Sequence, residues 1–165
     1  MTLLMRDQEN IEKGIEKGMR KGMEKGKSVG EEMMLMLIQK LVDDNERQYG
    51  EEAREKYGDE SVSRSNAKVL NMSKEQYTEL EKLTSDLNGT LKAAFEQGDP
   101  AGELAQKACV LHKKWLCFYW DAYSKEAHIG VTQMYVDDSR FTAYYDKIAP
   151  GCAVFLRDAV AIYCK

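Results

Sequence analysis

Residues 115–157 read WLCFYWDAYSKEAHIGVTQMYVDDSRFTAYYDKIAPGCAVFLR, and the reading of this stretch decides the fold. It holds both tryptophans, five of the nine tyrosines and three of the four phenylalanines. Aromatic side chains bring large apolar area and, in Tyr and Trp, a polar handle. So dense a group is either a strong core or the lining of an apolar pocket. Its punctuation is helical. Ser124 can cap a helix running to Tyr135, and Asp138 can cap another with Phe141, Tyr144, Tyr145 and Ile148 on one face. Pro150 is expected to open a third, with Cys152, Phe155, Leu156, Ala159, Val160 and Tyr163 recurring at i, i+3, i+4 and i+7.

The same period extends upstream. Leu104, Ala108, Leu111, His112, Trp115 and Tyr119 share one face of a helix that Asp99-Pro100 is expected to begin, as N-cap and first helical residue. Ser73-x-x-Gln76 is a capping box opening a long helix. Its apolar residues Tyr77, Leu80, Leu83, Leu87, Leu91, Ala94 and Phe95 step by threes and fours, and Gly98 stops it. Shorter helices are expected over residues 49–57, ended by Gly58, and over residues 61–70. Residues 31–44 read as an amphipathic helix with Met34, Leu37, Ile38, Leu41 and Val42 on one side. Nothing alternates with period two and the chain holds only two prolines. The expected fold is an all-α domain of six or seven helices from Asn45 onward, preceded by the helix of residues 31–44.

The first 44 residues differ in kind. Across residues 11–26 a tetrad repeats four times, IEKG, IEKG, MRKG, MEKG. Each glycine costs about 1 kcal/mol relative to alanine in a helix interior, so this tail is expected to be a marginal helix or disordered. Its Ile/Met stripe, with Met23, Met33, Met34 and Met36 nearby, suits pairing with a partner helix or with a second copy of the chain. The expected division is a tail over residues 1–44 and a folded domain over residues 45–165.

Charge and cysteine usage exclude several function classes. Residues 1–30 carry seven Lys/Arg against five Asp/Glu, and the remainder 17 against 23, within a net charge of −4. An acidic body argues against direct nucleic-acid binding. The longest apolar run, residues 33–38, is too short to span a bilayer, and no secretory signal opens the chain. Cys109, Cys117, Cys152 and Cys164 show no zinc spacing, and the expectation is a reduced, cytoplasmic protein without metal or cofactor. No G-x-S-x-G, phosphate loop or H-E-x-x-H is present, so no enzyme is expected. Asp137 and Asp138 adjoin, but Asp138 is better explained as an N-cap than as half of an acid/base pair. His112 and His128, the only histidines, stand 16 residues apart. They read either as ligand contacts, proton shuttle or haem ligand, or as hydrogen-bonded, partly buried side chains. Gly130, inside a predicted helix, calls for close packing or for room beside a ligand.

Residues 49–58 (YGEEAREKYG), the SKEQY turn at Ser73, His112 with Trp115, and above all MYVDDSRFTAYYDKIAPG over residues 134–151 carry a resemblance. Over roughly residues 45–165 the chain closely resembles the TipAS antibiotic-recognition domain, the effector half of a branch of MerR-family transcriptional activators. The resemblance implies a globin-like helical fold without haem and a cleft for bulky hydrophobic small-molecule or peptide antibiotics. It implies a lining of Trp115, Phe118, Tyr119, Trp120, Tyr123, His128, Gly130, Met134, Tyr135, Phe141 and Tyr144. The founding member bonds to thiopeptides through a cysteine two residues after the histidine; here that position is Gly130, which implies non-covalent capture. The family's regulators begin with a winged helix-turn-helix and a dimerising helix, and 44 residues before Asn45 are expected to hold neither. The EKG tetrads instead resemble the C-terminal tails of Rpn-type transposase-like nucleases, without the nuclease core.

Overall fold

The computed structural model describes residues 31–165, all of whose regular structure is helical. Among the described residues the helices, in chain order, are α1 (Glu31–Tyr57), α2 (Asp59–Leu70), α3 (Lys74–Gln97), α4 (Glu103–Tyr119), α5 (Lys125–Asp137), α6 (Ser139–Asp146) and α7 (Cys152–Tyr163). The EKG tetrads of residues 11–26 lie outside the described residues. No helix among the described residues is long and apolar enough to cross a membrane. The chain divides into two compact units, one ending at Thr78 and one spanning Glu79–Lys165.

In the first unit, α1 packs against α2. The two helices expected over residues 31–44 and 49–57 form one continuous helix, and the reason lies at Gly50. A Cβ at Gly50 would lie 2.7 Å from Glu46 Oε1, so the glycine leaves room for the Glu46 carboxylate to fold along the helix. That carboxylate takes the Arg54 guanidinium through Nε at 2.7 Å and Nη2 at 2.6 Å, and accepts from Asn66 Nδ2 of α2 at 2.9 Å. Arg54 Nη1 reaches on to Asp59 Oδ1 and Ser63 Oγ, both at 3.1 Å. Side-chain bonding offsets what glycine costs in a helix interior. Gly58, at φ 83°, separates the helices with a backbone conformation that favours glycine, and α2 begins two residues earlier than its periodicity suggests.

The capping box forms as its sequence predicts: the Gln76 amide donates to Ser73 Oγ at 3.2 Å and the Ser73 amide donates to Gln76 Oε1 at 2.9 Å. Gly98, at φ 74°, ends α3. The expected start of α4 at Pro100 is not what occurs. Asp99 Oδ1 accepts from the Ala101 amide at 3.0 Å, closing a side-chain turn, and the helix begins only at Glu103 behind Gly102. Asx turns of this kind compete with helix for the same amides. Likewise α7 starts at Cys152 rather than at Pro150, because Gly151 at φ 93° holds a left-handed turn before it.

In the second unit, α5 and α4 both pack on α7, and α6 packs on α5 and α7. Ser124 Oγ caps α5 by accepting from the Ala127 amide at 3.0 Å. Asp138 Oδ1 caps α6 from the Arg140 amide at 2.9 Å, and its carboxylate also pairs with the Arg140 guanidinium. Asp138 is therefore committed to the helix start, as its position predicts. The core holds Leu91 of α3, Ala108 and Leu116 of α4, Tyr135 of α5 and Leu156 of α7, each at most 1% exposed.

Candidate functional site

Trp115, Tyr123 and Tyr135 of the predicted aromatic set meet at a buried histidine pair. His112, in the middle of α4, and His128, in the first turn of α5, are brought together by the connection at residues 120–124. His112 Nδ1 and His128 Nε2 lie 2.7 Å apart, and neither ring is exposed at all. On one side His112 Nε2 lies 3.3 Å from the Tyr135 hydroxyl. On the other, His128 Nδ1 lies 3.0 Å from the Tyr123 hydroxyl, with Cys164 Sγ beyond at 3.9 Å.

One proton joins the two rings, and its position sets the rest of the chain. If His112 Nδ1 donates, His112 Nε2 accepts from Tyr135 and His128 Nδ1 donates to Tyr123. If His128 Nε2 donates, both outer bonds reverse. Either arrangement satisfies every imidazole nitrogen with both rings neutral. Burial, and then the neighbouring His128, hold His112 well below the ordinary histidine pKa. Burial, and then the charge of Lys113, bring His128 down to about 4. Desolvation disfavours the cation, so both rings are neutral at pH 7.

Aromatic rings enclose the pair. Trp115 stacks on His112 with centroids 5.8 Å apart and planes at 17°, and its indole N–H donates to Thr84 Oγ1 at 3.2 Å. Tyr119 meets Trp115 edge-on at 5.1 Å, and Tyr135 meets Tyr145 at 4.6 Å and Phe141 at 5.9 Å. Burial, then Tyr135, raise the Tyr145 hydroxyl well above the usual tyrosine value. Thus Trp115, Tyr119, Trp120, His128, Tyr135 and Phe141 are buried, whereas Phe118, Tyr123, Met134 and Tyr144 are half-buried. Gly130 is exposed, and a Cβ there would meet nothing within 4 Å, so close helix packing does not account for it.

One open space lies beside this cluster. Between α3 and α4 opens a groove of about 530 Å³, to which the predicted set contributes Phe118 alone. From α3 it takes Glu79, Lys82, Leu83 and Asp86; from α4 it takes Leu111, Lys113, Lys114 and Cys117. Lys113 Nζ stands 4.3 Å from the Tyr123 ring centroid, joining the groove to the histidine chain. Helical periodicity placed Leu83 and Leu111 on core-facing stripes and so hid their part in the groove. Their signal was that each sits at the margin of its stripe beside lysines.

Known proteins add the family context. The TipAS antibiotic-recognition domain matches residues 49–163. The "HTH-type transcriptional activator TipA" of Streptomyces coelicolor, and that of Streptomyces lividans, are 32% identical over 115 residues, covering 68% of this chain and 46% of theirs. The "HTH-type transcriptional activator mta" of Bacillus subtilis is 24% identical over 128 residues, covering 78% of this chain and 49% of its own. The chain thus spans about half the length of these relatives. No solved structure matches it. With the family's match running from Tyr49 to Tyr163, the chain belongs to the TipAS antibiotic-recognition domain family.

Proposed function

We propose that this chain binds bulky, apolar antibiotic or drug-like molecules without forming a covalent bond, in the cytoplasm, either to sequester them or to signal their presence to transcription. The observation that carries the reading is the antibiotic-recognition match over residues 49–163. Gly130 offers no thiol at the position where the founding member has one. Burial pushes the Cys109 and Cys152 thiols up to about 12, which leaves them inert as nucleophiles at neutral pH. Of the predicted aromatic lining, Phe118, Tyr123, Met134 and Tyr144 are half-buried, and Phe118 reaches the open groove between α3 and α4. Trp115, Tyr119, Trp120, His128, Tyr135 and Phe141 are buried. The transcriptional output is supported by the names of the helix-turn-helix activators TipA and mta.

The test is a thermal-shift screen over hydrophobic antibiotics, paired with intrinsic tryptophan fluorescence. A native-state ligand at roughly 100 times its Kd adds about 2.7 kcal/mol of stability. A diverse panel that moves neither melting temperature nor emission would overturn the reading.

A second reading has its own observation. Met33, Leu35 and Met36, at the start of α1, are 49%, 42% and 73% exposed. We infer that residues 1–44 act as an appendage that meets a partner helix or a second copy of the chain. Sedimentation should show an oligomer that Met33→Glu with Met36→Glu disperses; an unchanged state would remove this role.

A further inference from the structure

We propose that the groove between α3 and α4 is the seat of the ligand, and that it selects an apolar-bodied molecule carrying an anionic group, such as an aromatic carboxylate or sulfonate. This rests on the ligand-binding reading above and adds where the molecule sits and what charge it carries. The groove, at about 530 Å³, falls within the range of small-molecule sites. Its apolar floor is built by Leu83, Leu111 and Phe118, all half-buried. A flat aromatic body covers such a floor while leaving its polar end at the rim.

The rim decides the charge. Lys113 and Lys114 stand together on the α4 wall beside Phe118. On the α3 wall Lys82 lies three residues after Glu79 and four before Asp86, which offsets that wall's acidity. Lysines therefore outnumber acids around the groove, in a chain whose net charge is −4. Among the described residues no ion pair ties Lys113 or Lys114 to an acid, so both ammonium groups remain available to an incoming anion. An anion is drawn to the α4 wall and repelled by Glu79 and Asp86, which fixes its orientation across the floor. The Lys113 ammonium also lies over the Tyr123 ring, whose hydroxyl bonds His128. An occupied groove thus touches the buried histidine chain through two side chains.

Cys117 makes the test site-specific, because it lines the groove and is the exposed thiol among four. The probe is anilinonaphthalenesulfonate, with its uncharged parent phenylnaphthylamine as control, added to the full chain. At roughly ten times its Kd the sulfonate should raise the melting temperature and slow iodoacetamide alkylation of Cys117 by about tenfold. Lys113→Ala with Lys114→Ala should weaken the sulfonate by about tenfold while leaving the parent amine unchanged. Cys117→Ser should keep the thermal shift, since the thiol reports and does not bind. Equal protection by the uncharged amine would overturn the anion selectivity. Stabilisation by the sulfonate or by an antibiotic without protection of Cys117 would overturn the groove as the seat and leave the ligand-binding reading standing. Silence from the sulfonate and from the whole antibiotic panel would remove both.

Discussion

Lowering the pH from 7 to 5 should destabilise this fold through the buried histidine pair. In the unfolded chain both imidazoles take up a proton near pH 6.5. In the folded chain His128 does so only at about 4, and His112 is depressed for the same reason, burial. Between these values the unfolded state binds more protons than the folded state, so stability is intact above pH 6.5 and falls as pH drops toward 4. Integrated from pH 7 to 5, the His128 displacement alone removes about 2 kcal/mol, and His112 adds to the loss in the same direction. Against a total of roughly 5–15 kcal/mol for a domain, that is a large fraction. The assay is urea denaturation followed by far-UV circular dichroism at pH 7, 6 and 5, where few carboxylates titrate. His128→Gln removes one of the two titrating rings and should flatten the pH slope, whatever it does to stability at pH 7. A wild-type free energy that stays level from pH 7 to 5, or an undiminished slope in His128→Gln, would refute the reasoning.

Three further outcomes follow from particular contacts. Thr84→Val takes the acceptor from the buried Trp115 indole N–H and should cost about 1–3 kcal/mol in chemical denaturation; a cost near zero would mean the indole finds another partner. Gly50→Ala gains about 1 kcal/mol of helix propensity but pushes the Glu46 carboxylate off Arg54 and Asn66. It should therefore stabilise a Glu46→Ala background more than the wild type, as a double-mutant cycle would read out. Gly130→Ala, on an open face of α5, should raise stability by about 0.5–1 kcal/mol, and a loss would expose a packing constraint at that face.

The helices were legible because their signals are local. Ser73 with Gln76, Ser124 and Asp138 act on amides within three residues, and Gly58, Gly98 and Gly151 turn the chain where they stand. Misplaced starts also have local causes, seen only in coordinates: the Asp99 side-chain turn displaced Pro100 as the head of α4. The missed continuity of α1 has a longer-range cause, since Gly50 is tolerated through Glu46, whose carboxylate is held by Arg54 and by Asn66, 20 residues further on.

Sequence alone determined that the chain is all-α, where most of its helices begin and end, and which side chains form their apolar stripes. Those are properties of a period of 3.6 residues and of caps a few positions apart. Only tertiary structure decided which aromatics are core and which keep a surface. Trp115 is satisfied by Thr84, 31 positions away, and His112 by His128, 16 positions away. An apolar stripe says that a residue faces another element; whether that element seals it or stands back to leave a groove depends on how α3 and α4 meet. Periodicity could not distinguish Trp115, sealed in the core, from Phe118, three residues on and lining open space.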